Sequence, residues 1–261
     1  MAEARLTVTG LRGIPLVQAG DDLAEILVTA LAVAPVPPVD GDVLVVTQKI
    51  VSKAEGRQVA LEHVEPSPAA IDLAAETGKD PRLVQLILDQ STEVVRKAPG
   101  VLITRNRLGL VCANAGIDQS NLDHGGAATA LLLPEAPDAT AARLQRAIAA
   151  RTGARIGVLI CDSSNRPWRL GTVGIAIGAA GLAVLDDRRG SQDLYGRELQ
   201  ATLINRADAI AAAAVLVMGE STERIPAALV HGLPPPAGAP ARSQPHTAAI
   251  IPRPLESDLF R

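Results

Sequence analysis

Val111-Cys-Ala-Asn-Ala-Gly-Ile-Asp-Gln-Ser-Asn121 is the stretch around which the chain is organised. Gly109-Leu-Val-Cys-Ala113, leading into it, is a short apolar run with the character of a strand, and His124-Gly125-Gly126 behind it cannot continue a regular element. Asn114, Asp118, Ser120 and Asn121 therefore fall on a loop leaving a buried strand end, where small polar groups can converge on a ligand. Working outward, Arg155-Ile-Gly-Val-Leu-Ile-Cys161 has the same pattern: a fully apolar strand that breaks into Asp162-Ser-Ser-Asn-Arg-Pro-Trp-Arg169. Two strands that each end in an aspartate beside a hydroxyl or amide suggest oxygen ligands for a hard divalent cation. Loop aspartates also cap helices and close turns, and the residues alone leave both roles open for Asp118 and Asp162.

Composition narrows the class. The 261 residues suffice for one large domain or two small ones with an ample core. A formal net charge of -3 gives no chain-wide field for nucleic acid, and one Trp, one Tyr and one Phe cannot build a base-stacking surface. Neither Cys112 nor Cys161 has metal-ligand spacing, and both lie in apolar runs, which suits a reducing compartment. Met1-Ala-Glu-Ala-Arg-Leu-Thr-Val lacks a signal-peptide pattern, and no apolar run approaches the ~20 residues of a membrane span. The expectation is a cytoplasmic protein that uses neither membrane nor nucleic acid.

Elsewhere, Leu6-Thr-Val8 begins a strand, and Leu11-Arg-Gly-Ile-Pro15 is a turn with free backbone amides. Asp21-Asp22 caps a helix from Leu23 to about Val33. Val43-Leu-Val-Val46 is a buried strand that runs into Thr47-Gln-Lys-Ile-Val-Ser-Lys-Ala-Glu-Gly56, a basic strand end without a P-loop and most simply the start of a solvated helix. Helices are expected over Pro66–Thr77 and Pro81–Ser91, and a strand pair from Leu102-Ile-Thr104 and Leu110-Val-Cys112 around the turn Asn106–Gly109. A helix from Asp138 to about Arg151 precedes the strand into Asp162. Gly171-Thr-Val-Gly-Ile-Ala-Ile-Gly-Ala-Ala-Gly181 does not follow the dinucleotide fingerprint, and close packing of a strand against a neighbour accounts for its glycines. Asp186 to Glu198 reads as a solvated charged face. Thr202 to Met218 reads as an alanine-rich helix closed by Gly219, with Glu220 next, and Ala227, Leu229 and Val230 as a last strand. From Pro234 the proline-rich composition suggests an extended or mobile tail. The four histidines (His63, His124, His231, His246) show no spacing for a nucleophile's base. Lysines, arginines and carboxylates on converging strand ends point to nucleotide-dependent group transfer.

Segments in order carry a family resemblance: Gly13-Ile-Pro, Gly20-Asp-Asp-Leu-Ala, Asp40-Gly-Asp-Val-Leu-Val-Val, Val51-Ser-Lys-Ala-Glu-Gly-Arg57, Asn114-Ala-Gly-Ile-Asp-Gln-Ser-Asn121, Asp162-Ser, Arg166-Pro-Trp-Arg169, Ala176-Ile-Gly, Asp193-Leu-Tyr-Gly-Arg-Glu-Leu199 and Val217-Met-Gly-Glu220. Over roughly Leu11 to Gly232 the chain resembles the coenzyme F420-0:L-glutamate ligases, also called F420 gamma-glutamyl ligases. The resemblance implies an α+β fold in two subdomains and an intertwined homodimer. It places a ligase domain at residues 1–233, with an inserted subdomain at about 78–188, ahead of the tail at 234–261. It implies GTP as nucleotide, with two Mg2+ or Mn2+ ions and K+ as a further cation. The substrates would be F420-0 and L-glutamate, joined through an acyl phosphate, with further gamma-linked glutamates possible; the alternative is an amide ligase acting on another carboxylate. Carried over by position, Asp118, Asp162 and Lys53 are the catalytic set, and Asp118, Asp162, Ser163 and Glu220 the metal ligands. Ile14, Pro15, Leu16, Val17, Gln48, Lys49, Lys53, Asn121, Met218 and Gly219 would contact the nucleotide. Ser163 stands where the family pattern has threonine, and its hydroxyl remains a possible ligand. Arg166 and Arg169 are the residues suited to clamp an acceptor phosphate or carboxylate.

Overall fold

A computed structural model of the chain describes residues 5–122, 128–165, 168–236 and 247–258. Strand β1 (Thr7–Gly10) is followed by helix α1 (Leu23–Ala32), and β2 (Val43–Thr47) runs directly into α2 (Gln48–Ala54). The short β3 (Gln58–Ala60) precedes α3 (Pro68–Thr77) and α4 (Pro81–Asp89). Strands β4 (Ser91–Ala98), β5 (Val101–Asn106), β6 (Val111–Ala113) and β7 (Thr129–Leu131) follow. After α5 (Pro137–Thr152) come β8 (Gly157–Asn165), β9 (Thr172–Ala180), β10 (Leu185–Asp187) and β11 (Leu203–Asn205), and then α6 (Arg206–Met218) and β12 (Ala227–His231). The protein is α+β.

The apolar runs ending at Thr47 and Cys161 become neighbours in a five-stranded sheet ordered β1-β12-β2-β8-β9. Val43 to Thr47 pairs in parallel with Gly157 to Cys161. β12 is antiparallel to both β2 and β1. Consequently β1, β2 and β8 all point the same way, and the chain enters β12 from the end at which they leave. Alternation splits each strand between two cores. Leu44, Val46, Val158 and Ile160 face α1 and α5, whereas Val43, Val45, Leu159 and Cys161 face α6. With both faces covered, the strands read as unbroken apolar runs.

β9 closes one edge of the sheet, and its glycines have a specific cause. A Cβ on Gly174 would stand 2.6 Å from the Ala211 carbonyl of α6, and one on Gly178 would stand 2.6 Å from Pro137 of α5. The close packing expected of these glycines is present, and the neighbours are two helices, each pressed onto backbone that has no side chain. The free edge is capped by carboxylates: Ala176 N–H donates to Asp208 at 2.8 Å and Ala179 N–H to Asp138 at 2.8 Å. Asp138 therefore serves the edge strand and not its own helix, whose N-cap position is Ala136. Pairing the open N–H groups of an edge strand also removes a template for unwanted strand addition.

A third core forms beside the sheet. Leu61, Leu73, Val84, Ile87, Leu102 and Ala130 belong to it, under α3, α4 and the β4-β5-β6 meander. The expected hairpin is present, with Ile103 to Arg105 opposite Ala113 to Val111. Residues 157–165 and 172–180, inside the range expected for an inserted subdomain, form β8 and β9 of the central sheet. Two expectations change. The helix expected from Thr202 begins at Arg206, because Leu203–Asn205 pairs with Leu185–Asp187 and Asn205 caps the helix through Asp208 N–H. The tail expected to be mobile is docked over 247–258, where Ala248 is buried and Ile251 packs on the α6 side of the sheet.

Candidate functional site

The parallel run of β1, β2 and β8 gathers distant polar segments at one end of the sheet. Thr47 N–H donates to Pro226 O at 2.9 Å and Leu11 N–H to Ala227 O at 2.8 Å, which brings the segments after β1, after β2 and before β12 together. The loop after β6 is held there by a bridge in which Asp118 and Leu131 exchange backbone hydrogen bonds of 3.0 and 2.8 Å. Asn114, Ala115 and Gly116 enter that loop with positive φ of 52, 57 and 78°. For the two residues with a Cβ this is a strained backbone of the kind found at functional sites.

Three sets of contacts define the site. Lys49 Nζ is 2.7 Å from Asp118 Oδ2 and donates to Ser120 Oγ at 2.9 Å. Lys53 Nζ donates to the Asn121 carbonyl at 2.8 Å, and Asn121 Nδ2 donates to the Ser221 carbonyl at 3.1 Å. Ser163 Oγ donates to Glu220 Oε2 at 2.5 Å, joining β8 to the end of α6. Asp162 stands among them. Burial first, and then the charges of Asp118 and Glu220, push its carboxyl up to about 7, against the Ser163 N–H and the Lys49 charge. Burial also raises Asp118, but hydrogen bonds from Lys49 and from Ser120 N–H, the latter 2.6 Å long, outweigh it and hold the group below the usual carboxylate range. Lys53 is lowered by burial and by the neighbouring Lys49 charge, against the pull of Asp118.

Half of the residues expected for catalysis, metal and nucleotide are assembled here: Lys49, Lys53, Asp118, Asn121, Asp162, Ser163 and Glu220. Others turn away. Gln48 is buried and accepts from Ser52 Oγ at 2.9 Å within α2. Ile14 and Val17 lie in the core facing α1, and Met218 in the core facing α6, whereas Pro15 and Leu16 are exposed. For residues 13–17, contact with a ligand would therefore fall to the backbone and to Pro15 and Leu16. Gly219 follows α6 with φ 76°, and a Cβ there would stand 2.3 Å from the Glu223 carboxyl carbon. Arg169 is exposed, and Arg166 lies outside the described residues. Ser120, one of the polar groups expected on the loop, and Ser221, in the segment that follows Met218, complete the contacts. The polar run Glu220-Ser-Thr-Glu223 after the helix was the available signal for Ser221.

The donors suit a hard divalent cation: carboxylates of Asp118, Asp162 and Glu220, and the Ser163 hydroxyl. Asn114 Oδ1, on the same loop as Asp118, is buried without a hydrogen-bond partner. Among the described residues no three His, Cys, Asp or Glu side chains are grouped closely enough to hold a metal; the Lys49 ammonium sits against Asp118 instead. A cluster of acids short of positive charge, beside lysines on flexible stems, can take up a cation and a polyanion together.

Residues 12–232 match the family described as F420-0:gamma-glutamyl ligase. The chain is 44% identical to the coenzyme F420:L-glutamate ligase of Methanothermobacter thermautotrophicus over 256 residues, covering 98% of this chain and 99% of the relative. It is 45% identical to the enzyme of that name from Methanopyrus kandleri, covering 94% and 93% of the two chains. The Archaeoglobus fulgidus protein of that name is 45% identical, with 88% of each chain covered.

Proposed function

Because this chain belongs to the F420-0:gamma-glutamyl ligase family, we propose that it joins L-glutamate to the coenzyme F420 precursor F420-0 at the expense of GTP. The observation that carries the reading is the convergence of Lys49, Lys53, Asp118, Asp162 and Glu220 at one sheet end. It supplies both charges that transfer of a phosphoryl group to a carboxylate needs. The acceptor carboxylate oxygen attacks the γ-phosphorus, the bond to the β-phosphate oxygen breaks, and GDP leaves. The glutamate amine then attacks the acyl carbon, a C–N bond forms, and inorganic phosphate departs as the amine loses its proton. Further gamma-linked glutamates would add by the same steps.

Lys49 and Lys53 would bear on the phosphate oxygens, whose charge is the main obstacle to bringing two anions together. Lys49 would exchange its contact with Asp118 for one with a phosphate. Backbone N–H groups after Gly13 would serve the nucleotide, since the side chains of Ile14 and Val17 are in the core. Asp118, Asp162, Ser163 and Glu220 would hold two Mg2+ or Mn2+ ions, which when bound would neutralise the triphosphate and the transferred phosphoryl group. Such an ion would also restore Asp162 to its charged form. K+ as a further cation, the intertwined homodimer, the two-subdomain description and a cytoplasmic location belong to this reading as well. No helix among the described residues is long and apolar enough to cross a membrane, in keeping with such a location.

The test is a glutamylation assay with purified protein, L-glutamate, Mn2+ and F420-0, run with GTP or ATP and read by mass. The expected product carries one or more added glutamyl units and forms with GTP. Turnover of another carboxylate, or with ATP alone, would keep the ligase chemistry and replace the substrate or nucleotide. No turnover with either nucleotide and a range of acceptors would refute the enzyme.

A further inference from the structure

The segment 247–258 is tied down at two places that belong to different parts of the fold. At one, the Asp138 carboxylate accepts the N–H of Ala248 at 2.8 Å and of Ala249 at 3.1 Å, while also holding Ala179 of the edge strand. At the other, the buried Arg105 of β5 donates to Asp258 at 3.3 Å and lies 3.5 Å from Glu93. Pro252 sits over the hairpin turn, where a Cβ on Gly109 would be 3.5 Å from it. Between these points the segment borders a cavity of about 370 Å³, with Leu108, Leu110, Pro137 and Ile177 in its walls. It is fastened at intervals rather than packed along its length.

What it fastens leads to the site. Arg105 pairs with Val111 across the hairpin, and its neighbour Asn106 donates to the Ala115 carbonyl at 3.4 Å. β6 then runs through the left-handed turn at Asn114–Gly116 to Asp118. A shift of the hairpin relative to β9 would be passed to the Asp118 loop over a few residues of paired backbone.

We infer that residues 247–258 form a positioning strap, which through Asp258 and Arg105 fixes the β5-β6 hairpin and so sets Asp118 against Asp162. For its effect on turnover the inference rests on the ligase reading above. Asp258 and Arg105 are positioning residues and touch no reacting atom.

The test compares full-length wild type with Asp258→Ala, Asp258→Glu and Ala249→Pro by hydrogen exchange over residues 106–118 and by glutamylation kinetics. Ala249 is exposed, so the proline removes one N–H donor to Asp138 without filling a core site. It keeps the test alive if Asp258→Ala fails to fold. Expected are faster exchange in 106–118 for Asp258→Ala and Ala249→Pro, and kcat lower by on the order of tenfold, within the range that small misplacements of a catalytic group cause. KM for L-glutamate should be unchanged, and Asp258→Glu should restore both readouts. Unchanged exchange in both variants would overturn the strap, and faster exchange with wild-type kcat would overturn its positioning role. A wild type without ligase turnover would refute the functional reading, and the exchange comparison would still decide whether the strap holds the hairpin.

Discussion

The two ends of the central sheet are built from the same strands and the same kinds of charged residue, yet they treat charge in opposite ways. At the end where β2 and β8 begin, each carboxylate is matched locally. Asp42 is buried, accepts Val39 N–H at 2.8 Å and lies 2.8 Å from His231 Nδ1. Asp40 accepts the N–H and the guanidinium of Arg155, each at 2.8 Å. At the end where the strands finish, Asp118 shares Lys49 with Ser120, and Asp162 lies within reach of the charges of Asp118 and Glu220 and is pushed up to about 7. Paired carboxylates hold a fold; crowded ones with perturbed protonation mark a place where something charged is meant to bind. The contrast separates stability from function within one sheet.

Substitutions should pull the two ends apart. The largest effect is expected from Asp118→Asn, which removes the charge that Lys49 contacts. Glutamylation should fall on the order of 10²- to 10³-fold, the size seen when one preorganised electrostatic group is lost, while the far-UV spectrum and melting temperature stay close to wild type. An active Asp118→Asn protein would break the contrast. Next comes Asp42→Ala at the far end, which leaves His231 and Val39 N–H without their buried acceptor. A loss of about 2–4 kcal/mol in urea unfolding is expected, with turnover per folded molecule unchanged.

A pH effect sharpens the same point. Burial first, and the neighbouring acids after it, push the folded carboxyl of Asp162 up to about 7, above the usual carboxylate range, so the folded state binds the proton more tightly than the unfolded state. Its contribution to stability is full below about 4 and is lost as pH rises through about 7, amounting to no more than a few kcal/mol. Chelator-treated protein should therefore lose stability over that window, and Asp162→Asn should flatten the loss; equal slopes for the two proteins would contradict the assignment. The smallest expected effect concerns thiols. Burial, with the nearby Asp162 charge adding to it, pushes Cys112 up to about 12, and burial raises Cys161 as well. Native protein at pH 8 should resist iodoacetamide, whereas denatured protein reacts at both cysteines. Ready native alkylation of Cys112 would show that the site end is more open than described.

Much of the sheet and the site was legible because strong local signals coincide with the topology. Val43–Val46 and Ile156–Cys161 are apolar at every position, as strands covered on both faces must be. Each changes to polar residues where it leaves the sheet, so Asp162 and Ser163 could be picked out before their neighbours were known, whereas Lys49 read as the start of a solvated helix until the resemblance singled it out. That Asp118, Glu220 and these residues meet was carried by the family resemblance, since no spacing connects residue 49 with residue 220. Other parts left little trace. β3 and β7 are three residues each, too short for a period to register. β4 alternates, but irregularities between Ser91 and Glu93 and between Val94 and Arg96 shift its phase. The docked tail is held largely through backbone N–H groups and one aspartate, features that a proline-rich composition conceals. Gln48, carried over by the resemblance, is a buried amide bonded within its own helix, and its place in the polar run Thr47–Gly56 gave no sign of that burial.

The most direct test makes one chemical change at both ends of the sheet, measuring glutamyl transfer and melting temperature for Asp162→Asn and Asp42→Asn together. Asp162→Asn is expected to lower transfer by on the order of 10²-fold while melting at or above the wild-type temperature of the metal-free protein, and Asp42→Asn to melt lower with transfer intact. Full transfer by Asp162→Asn, or loss of transfer by a folded Asp42→Asn, would contradict the placement of the site.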